Sequence, residues 1–294
     1  MPKVSVLMPV YNAKPDEFRQ AVDSILNQTF SDFEFLIIND GSTNGCEKVL
    51  DEYNDDRIRY FENESNMKLI ATLNRGLDLA QGEYVARIDS DDMSTPDRLE
   101  KEVQYLDDNK NIGVVGSYFL RIPQNVVVKV PTDPRDVKLY IRYCQNCIIH
   151  SSVMLKKSIL DEHNLRYDKN CLHAEDHKLW SDMSRFCDLA VIPEVLTHYR
   201  ISPDGISENN LAWQRKMVSV VLMDNMIKDF KCDKNYLYSV LVKYIKNEPV
   251  TPEEYNAIGY HLASVAQYLT ARVSAPHNMY VKSFILSILK WFVR

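Results

Sequence analysis

The sequence has no surplus of positive charge. Its 35 Lys and Arg face 41 Asp and Glu, a net charge of −6 over 294 residues, so there is no general basic footprint for nucleic acid. No apolar run is as long as a transmembrane helix. Met1-Pro2-Lys3 leads directly into a strand-like segment, a start that argues against a signal peptide and sets the expectation of a cytoplasmic protein. The six cysteines form no compact framework. Cys144-Gln145-Asn146-Cys147 is a Cys-x-x-Cys, but no second pair completes a zinc site and no thioredoxin-like context surrounds it. Structural thiols in a reducing compartment are expected. Internal repeats and low-complexity segments are also missing. What remains is an ordinary globular composition, 45% hydrophobic, with length for one large domain or one domain plus an appendage.

The first half alternates strand and helix patterns. Val4 to Met8 reads as a buried strand stopped by Pro9. A helix follows from Pro15 or Asp16, with Phe18, Ala21, Val22, Ile25 and Leu26 on one face. Strands are expected at Phe33–Ile38, Ile58–Phe61 and Tyr84–Ile88, and helices near Cys46–Tyr53 and along the Leu69, Leu73, Leu77, Ala80 stripe. This rhythm predicts a doubly wound, mostly parallel sheet with helices on both faces. Beyond it, helices are expected at Pro96–Asp108, Asp136–Tyr143 and Glu175–Phe186, the last with Leu179, Trp180, Met183 and Phe186 inward. Strands are expected at Ile112–Phe119, Val126–Val130, Ile148–Leu155 and Leu189–Val195. The α/β unit is predicted to end near Ser207, and the rest reads as a helical extension, with helices expected at Tyr236–Ile245 and Tyr255–Arg272 among others.

The densest chemical signal is Asp89-Ser90-Asp91-Asp92 at the end of an apolar strand. Three carboxylates this close repel, and protonation or a cation must neutralise them. Carboxylates are hard oxygen ligands suited to Mg²⁺ or Mn²⁺, ions often shared with substrate phosphates. Taken alone, an Asp-rich turn serves equally well as a cap. Position is what changes its weight. Ligands bind beyond the carboxyl ends of strands in an open parallel sheet, and three polar clusters sit at such ends: Pro9-Val10-Tyr11-Asn12, Asn39-Asp40-Gly41-Ser42 and the aspartates. Asp40 can accept from the N–H of a pyrimidine base. Gly41 lets backbone approach a flat ligand, and Tyr11 can stack on a base. Asn66, Asn74 and Arg87 can bond the base or sugar, or serve as surface and cap residues.

The runs "VSVLMPVYNA", "FEFLIINDGST" and "LNRGLDLAQGEYVARIDSDDMSTPDRLEKEV", followed by "HSSVMLKKSIL", "HAEDHKLW" and "THYRISPDGIS", resemble family 2 glycosyltransferases of the GT-A fold. The resemblance covers residues 3 to 207, in family order and spacing. It implies a GT-A domain over 1–207, with a nucleotide-sugar half of about 1–110 and an acceptor half of about 111–207, and a separate region over 208–294. It also implies inverting transfer from a nucleotide-sugar, a UDP-sugar by preference, to a glycan or lipid-linked hydroxyl in surface-polysaccharide synthesis, with a divalent cation, Mn²⁺ or Mg²⁺. By the resemblance, Asp40 binds uracil, while Asp89 and Asp91 bind ribose and the metal-diphosphate. Pro9, Tyr11, Asn12, Asn66, Lys68, Asn74, Arg87, Ser90 and Arg200 complete the nucleotide-sugar set. Asp176 is the expected catalytic base beside Glu175. His150, His173 and Trp180 fall on the acceptor side, Trp180 able to offer its face to a sugar ring. Tyr199-Arg200 matches the loop that closes over the diphosphate. Two positions depart from the pattern: Lys68 stands where a Gly is common, and Ser202 where a His is common.

The chemistry supports these roles independently. Inversion is one in-line displacement needing a base on the acceptor and charge stabilisation on the leaving group. Asp176 at a helix start is pulled down in pKa by the helix and pushed up by burial and Glu175. A nucleotidyltransferase is the enzymatic alternative, but "PVYNAKPDE" lacks the Gly-rich basic loop that class prefers. A non-catalytic nucleotide- or metal-binding module is the other. In Tyr280–Arg294, at roughly 100° per residue, Lys282, Lys290 and Arg294 gather beside a face with Phe284, Trp291 and Phe292. That pattern suits a membrane surface, which would make the protein peripheral on the inner face of the cytoplasmic membrane, or a terminal helix docked on the protein's own core or on a second subunit in a homodimer.

Overall fold

The computed structural model describes residues 1–202 and 209–229, with 243, 248–249 and 251–253 as isolated positions. The expected boundary at Ser207 and nearly all of the helices expected at 236–245, 255–272 and 280–294 lie outside the described residues.

Strand β1 (Val4–Val10) is buried along its whole length, as is β2 (Phe33–Asn39). Continuous apolar runs of this kind belong to strands covered on both faces. Helix α1 (Pro15–Leu26) joins them, begun by Pro15, whose missing N–H costs nothing at a helix start. A 3-10 helix (Cys46–Glu52) leads to β3 (Ile58–Glu62), and α2 (Leu69–Leu79) to β4 (Tyr84–Arg87). β1 lies parallel to both β2 and β4, and β2 parallel to β3. All their carboxyl ends therefore open on one edge.

The second half is mixed. After the short β5 (Met93–Ser94) come α3 (Arg98–Asp108), β6 (Ile112–Ile122) and β7 (Val126–Val128). Helix α4 (Pro134–Tyr143) precedes β8 (Met154–Lys156) and the short α5 (Lys157–Glu162), and α6 (Glu175–Met183) precedes β9 (Asp188–Arg200). Among the described residues the sheet runs β3-β2-β1-β4-β8-β6-β9-β5, with β7 on β6. Helix α7 (Leu211–Asp229) packs on α4 and α6.

Alternation along the strands divides the core in two. Val6, Met8, Phe35, Ile37 and Ala86 meet α1 and α3 through Phe18, Val22, Ile25, Leu99 and Leu106. Leu7, Leu36, Ile38 and Val85 meet α2, α4, α6 and α7 through Leu73, Leu77, Ile141, Leu179 and Ile227.

Four sequence expectations change. The strand expected over Ile148–Leu155 is confined to β8. Its first part turns into a 3-10 helix at His150–Ser152, where the Ser152 hydroxyl donates to Ile149 O at 3.1 Å, a local bond that competes with a ladder. Phe186 does not face inward. α6 stops at Met183, the helical phase is lost, and Phe186 is 49% exposed and stacks on His163. β9 does not end at Val195. The ladder to β6 breaks its register around Pro193, which lacks a donor, and then continues to Arg200. In that extension His198 and Thr197 pair with β5, carrying Tyr199 and Arg200 to the aspartate turn. Finally, α3 starts at Arg98 rather than Pro96.

Arg98 is fully buried. Its Nη2 donates to Arg87 O at 3.0 Å and Val153 O at 3.2 Å, its Nη1 to Ser94 Oγ at 3.1 Å, and its Nε to Glu102 at 3.1 Å. It thus braces the strand that delivers Asp89. Burial pushes the Glu102 carboxyl up to about 7. Arg98→Ala would leave Glu102 buried without its partner, an expected loss of about 3–5 kcal/mol in a urea melt. A loss below about 1 kcal/mol would place the bracing elsewhere.

Candidate active site

The first two strand ends are tied to each other. Asn12, at φ 49°, donates its N–H to Ser42 Oγ at 2.9 Å and accepts the Thr43 N–H at 2.8 Å. Pro9 is buried in β1 beneath it, and Tyr11 stands 49% exposed at the rim. Asp40 is 4% exposed. Its Oδ1 accepts from Asn63 Nδ2 at 2.7 Å and from Met67 N at 2.8 Å. Gly41, at φ 68°, packs so tightly that a Cβ would lie 2.8–2.9 Å from the backbone of Ser65 and Asn66. Only glycine fits there. Asn66 accepts from Lys68 N at 2.9 Å. Lys68 is exposed and holds φ 73° and ψ 156°, a conformation natural to glycine. This glycine-like turn therefore carries a lysine, which puts a cation at its surface.

The third strand end is a turn, with Asp92 N donating to Asp89 O at 3.3 Å. Asp89, Asp91 and Asp92 each offer a carboxylate oxygen, and these atoms lie within 4.8 Å of one another. Ser90 is part-buried between them. Asp89 is held by the Arg87 guanidinium through both oxygens, and Ser151 Oγ donates to its Oδ2 at 3.0 Å. Asp92 is 1% exposed. Its Oδ1 accepts from Arg200 N at 2.7 Å, while its Oδ2 is buried without a hydrogen-bond partner among the described residues. Burial and then the neighbouring Asp89 raise the Asp91 carboxyl to about 6, and burial with Asp89 and Asp91 pushes Asp92 well above the usual range. An orphaned buried oxygen amid hard ligands that repel one another is a donor set that fits a divalent cation. Arg200 closes this side, its Nε donating to Asp91 O at 2.8 Å and its Nη2 to Gln20 at 2.9 Å.

The other carboxylate pair opens α6. Asp176 Oδ2 accepts from Asn146 Nδ2 at 2.7 Å, and its Oδ1 from His177 N at 2.6 Å. Burial, then Glu175, pushes Asp176 up to about 7. Glu175 is 7% exposed, is raised by burial, and has an oxygen without a hydrogen-bond partner among the described residues. Arg87 joins the two groups of acids. Burial works against its charge, Asp89 overrides that, and its field reaches Glu175 and Asp176 as well.

Other expected site residues are placed differently. Trp180 is 0% exposed. Its indole donates to Ile148 O at 3.2 Å, and its ring meets His150 and Tyr167 edge-on. It supports the site from below and has no face for a sugar. His150 bonds Tyr167 Oη at 2.9 Å, and burial followed by Arg87 holds its pKa far below the usual value, so the ring is neutral. His173 is part-buried at φ 70°, with its pKa lowered by burial. Asn74 does not project to a base. Its amide clamps the Tyr167 backbone, donating to O at 3.0 Å and accepting from N at 2.9 Å. Sequence reasoning missed Asn146, Ser151 and Tyr167. Asn146 lay inside the Cys-x-x-Cys, whose thiols are both buried and raised in pKa by burial, Cys144 to about 12. They are packing groups, and the signal was the amide between them.

The glycosyl transferase family 2 profile matches residues 5–161. The chain is 35% identical to an uncharacterized glycosyltransferase of Haemophilus influenzae, over 68% of this chain and 66% of that one, just under two thirds of its length. It is 30% identical to an uncharacterized glycosyltransferase of Methanocaldococcus jannaschii, over 84% and 81%. Similarity at 28% identity extends to the UDP-Glc:alpha-D-GlcNAc-diphosphoundecaprenol beta-1,3-glucosyltransferase WfgD of Escherichia coli, over 70% and 80%. Two solved structures share the fold. S. aureus TarS in complex with UDP matches at TM-score 0.60 and 17% identity, covering 99% of this chain and 90% of that one. A Pyrobaculum calidifontis mannosyltransferase in complex with GDP-Man and Mn²⁺ matches at 0.58 and 18%, covering 100% and 81%.

Proposed function

We propose, from the fact that this chain belongs to glycosyl transferase family 2, that it moves a sugar from a UDP-sugar to a hydroxyl of a glycan or lipid-linked acceptor in surface-polysaccharide synthesis, with inversion. That it is a glycosyltransferase follows from the family; the donor, the acceptor and the residue roles are the proposal. The observation carrying it is that two groups of acids, Asp89, Asp91 and Asp92 in one turn and Glu175 and Asp176 at the start of α6, share the field of one buried arginine, Arg87. UDP in the TarS complex and the undecaprenol-linked acceptor named for WfgD support the donor and acceptor classes.

In this reading Asp40 receives the base, with Gly41, Asn66 and Tyr11. Asp91 and Asp92, with Asp89 fixed by Arg87, would hold Mg²⁺ or Mn²⁺. A divalent cation there supplies charge neutralisation for the diphosphate. Arg200 adds a guanidinium suited to phosphate oxygens. Asp176 takes the acceptor hydroxyl proton as the acceptor oxygen bonds to the anomeric carbon. The bond from that carbon to the phosphate oxygen breaks, and its electron pair leaves with the diphosphate. Because a base works only when deprotonated, the acid limb of kcat/KM should fall near pH 7, where Asp176 titrates.

No helix among the described residues is long and apolar enough to cross a membrane. The basic and aromatic residues of 280–294 support a place at the inner face of the cytoplasmic membrane, where lipid-linked acceptors are presented. A thermal-shift and hydrolysis screen of nucleotide-sugars, with Mn²⁺ and with EDTA, tests the function. The expected result is a melting shift for one uridine donor that EDTA removes. No shift with any nucleotide would sink the proposal.

A further inference from the structure

We infer that Asn146 is the positioning residue of the Asp176 carboxylate, fixing its orientation and favouring its charged form. The inference rests on Asp176 as the base. Asn146 sits between α4 and the His150–Ser152 turn, in a segment anchored by the buried Cys144 and Cys147. Its Oδ1 accepts the Ile148 N–H at 3.1 Å. That bond settles which end of the amide is oxygen, so the NH₂ must point to Asp176 Oδ2, 2.7 Å away. The other carboxylate oxygen is taken by His177 N. Asp176 is therefore gripped at both oxygens, with one of its four lone-pair directions fixed by a side chain from another element.

Electrostatics gives that grip a purpose. Burial, and then Glu175 beside Asp176, favour the protonated acid, while the His177 N–H and then Arg87 from β4 oppose them. Tyr167, which also faces this group, is a neutral phenol whose pKa burial raises further, and the His150 it bonds is neutral. The Asn146 amide is then a second neutral donor, which works with the His177 N–H and Arg87 to keep a base in a site otherwise arranged to protonate it. A donor to a carboxylate lowers its pKa.

Asn146→Asp is the decisive variant. It keeps an oxygen for the Ile148 N–H but replaces the donor with a second oxygen. Asn146→Ala removes both bonds. In each, the acid limb of kcat/KM for transfer should move to higher pH by about one to two units, with donor KM unchanged and activity recovering in alkaline buffer. A merely structural role would lower the rate at every pH without moving the limb. If the alanine variant fails to fold, the aspartate variant decides. A limb that stays in place in a folded Asn146→Asp overturns the inference. Should Asp176→Asn turn over normally, the base assignment falls and takes this inference with it. A dead Asp176→Asn alongside an unshifted Asn146→Asp removes only the role of Asn146.

Discussion

Asp176→Asn should cost about 10²–10⁴-fold in kcat for transfer while leaving donor affinity within about twofold. The substitution is isosteric, and the amide can keep one acceptor for Asn146 or for His177. It cannot take a proton from the acceptor hydroxyl. In the proposed reading the donor is held by Asp40 and the aspartate turn rather than by Asp176, so calorimetry with the UDP-sugar should show a near-normal Kd. Turnover within tenfold of the unmodified protein would sink Asp176 as the base. Raised donor Kd alone would mean that this carboxylate binds substrate rather than activating it.

Asp91→Asn should lower kcat/KM by about 10²–10³-fold and make what remains insensitive to EDTA. Asp91 has its side chain less engaged than Asp89, whose two oxygens are tied to Arg87 and Ser151. Removing its charge relieves repulsion with Asp89 and Asp92, so the variant should fold at least as well. Loss of activity therefore cannot be read as loss of structure, and a circular-dichroism melt beside the kinetics makes that check. A variant that keeps full, EDTA-sensitive turnover would move the cation site away from this turn.

The sheet and the three strand ends could be read in advance because their physics is local. β1 and β2 are buried on both faces and appear as largely apolar runs, and each then gives way to a polar cluster, Tyr11-Asn12 or Asn39-Asp40-Gly41. The acid pair at the start of α6 was legible through the family resemblance instead. What escaped depends on contacts distant in sequence. Arg98 reads as the charged start of a helix, yet it is fully buried because it caps carbonyls from β4 and from the residue before β8. Trp180 has the right helical spacing to reach a sugar, but spacing cannot say which side of α6 faces the core. Asn74 binds the Tyr167 backbone 93 positions away, a pairing that no window of sequence contains. Sequence alone suits Asp92 equally to ligand and to cap. The structure gives it both kinds of oxygen, one bonded to Arg200 and one orphaned.

The proton equilibrium of Asp176 also enters the folding equilibrium. Its carboxyl rises from 3.8 to about 7 on folding. Between those values the native chain keeps a proton that the unfolded chain has released, so stability declines as pH rises through that interval. Above pH 7 both states are ionised and the full penalty of the buried charge is present. The pH at which Asp176 would be ready to act as the proposed base is thus the pH at which this residue most favours unfolding. A bound donor, by favouring the native state through mass action, would offset that burden, and the resting protein would be the less durable form of the enzyme.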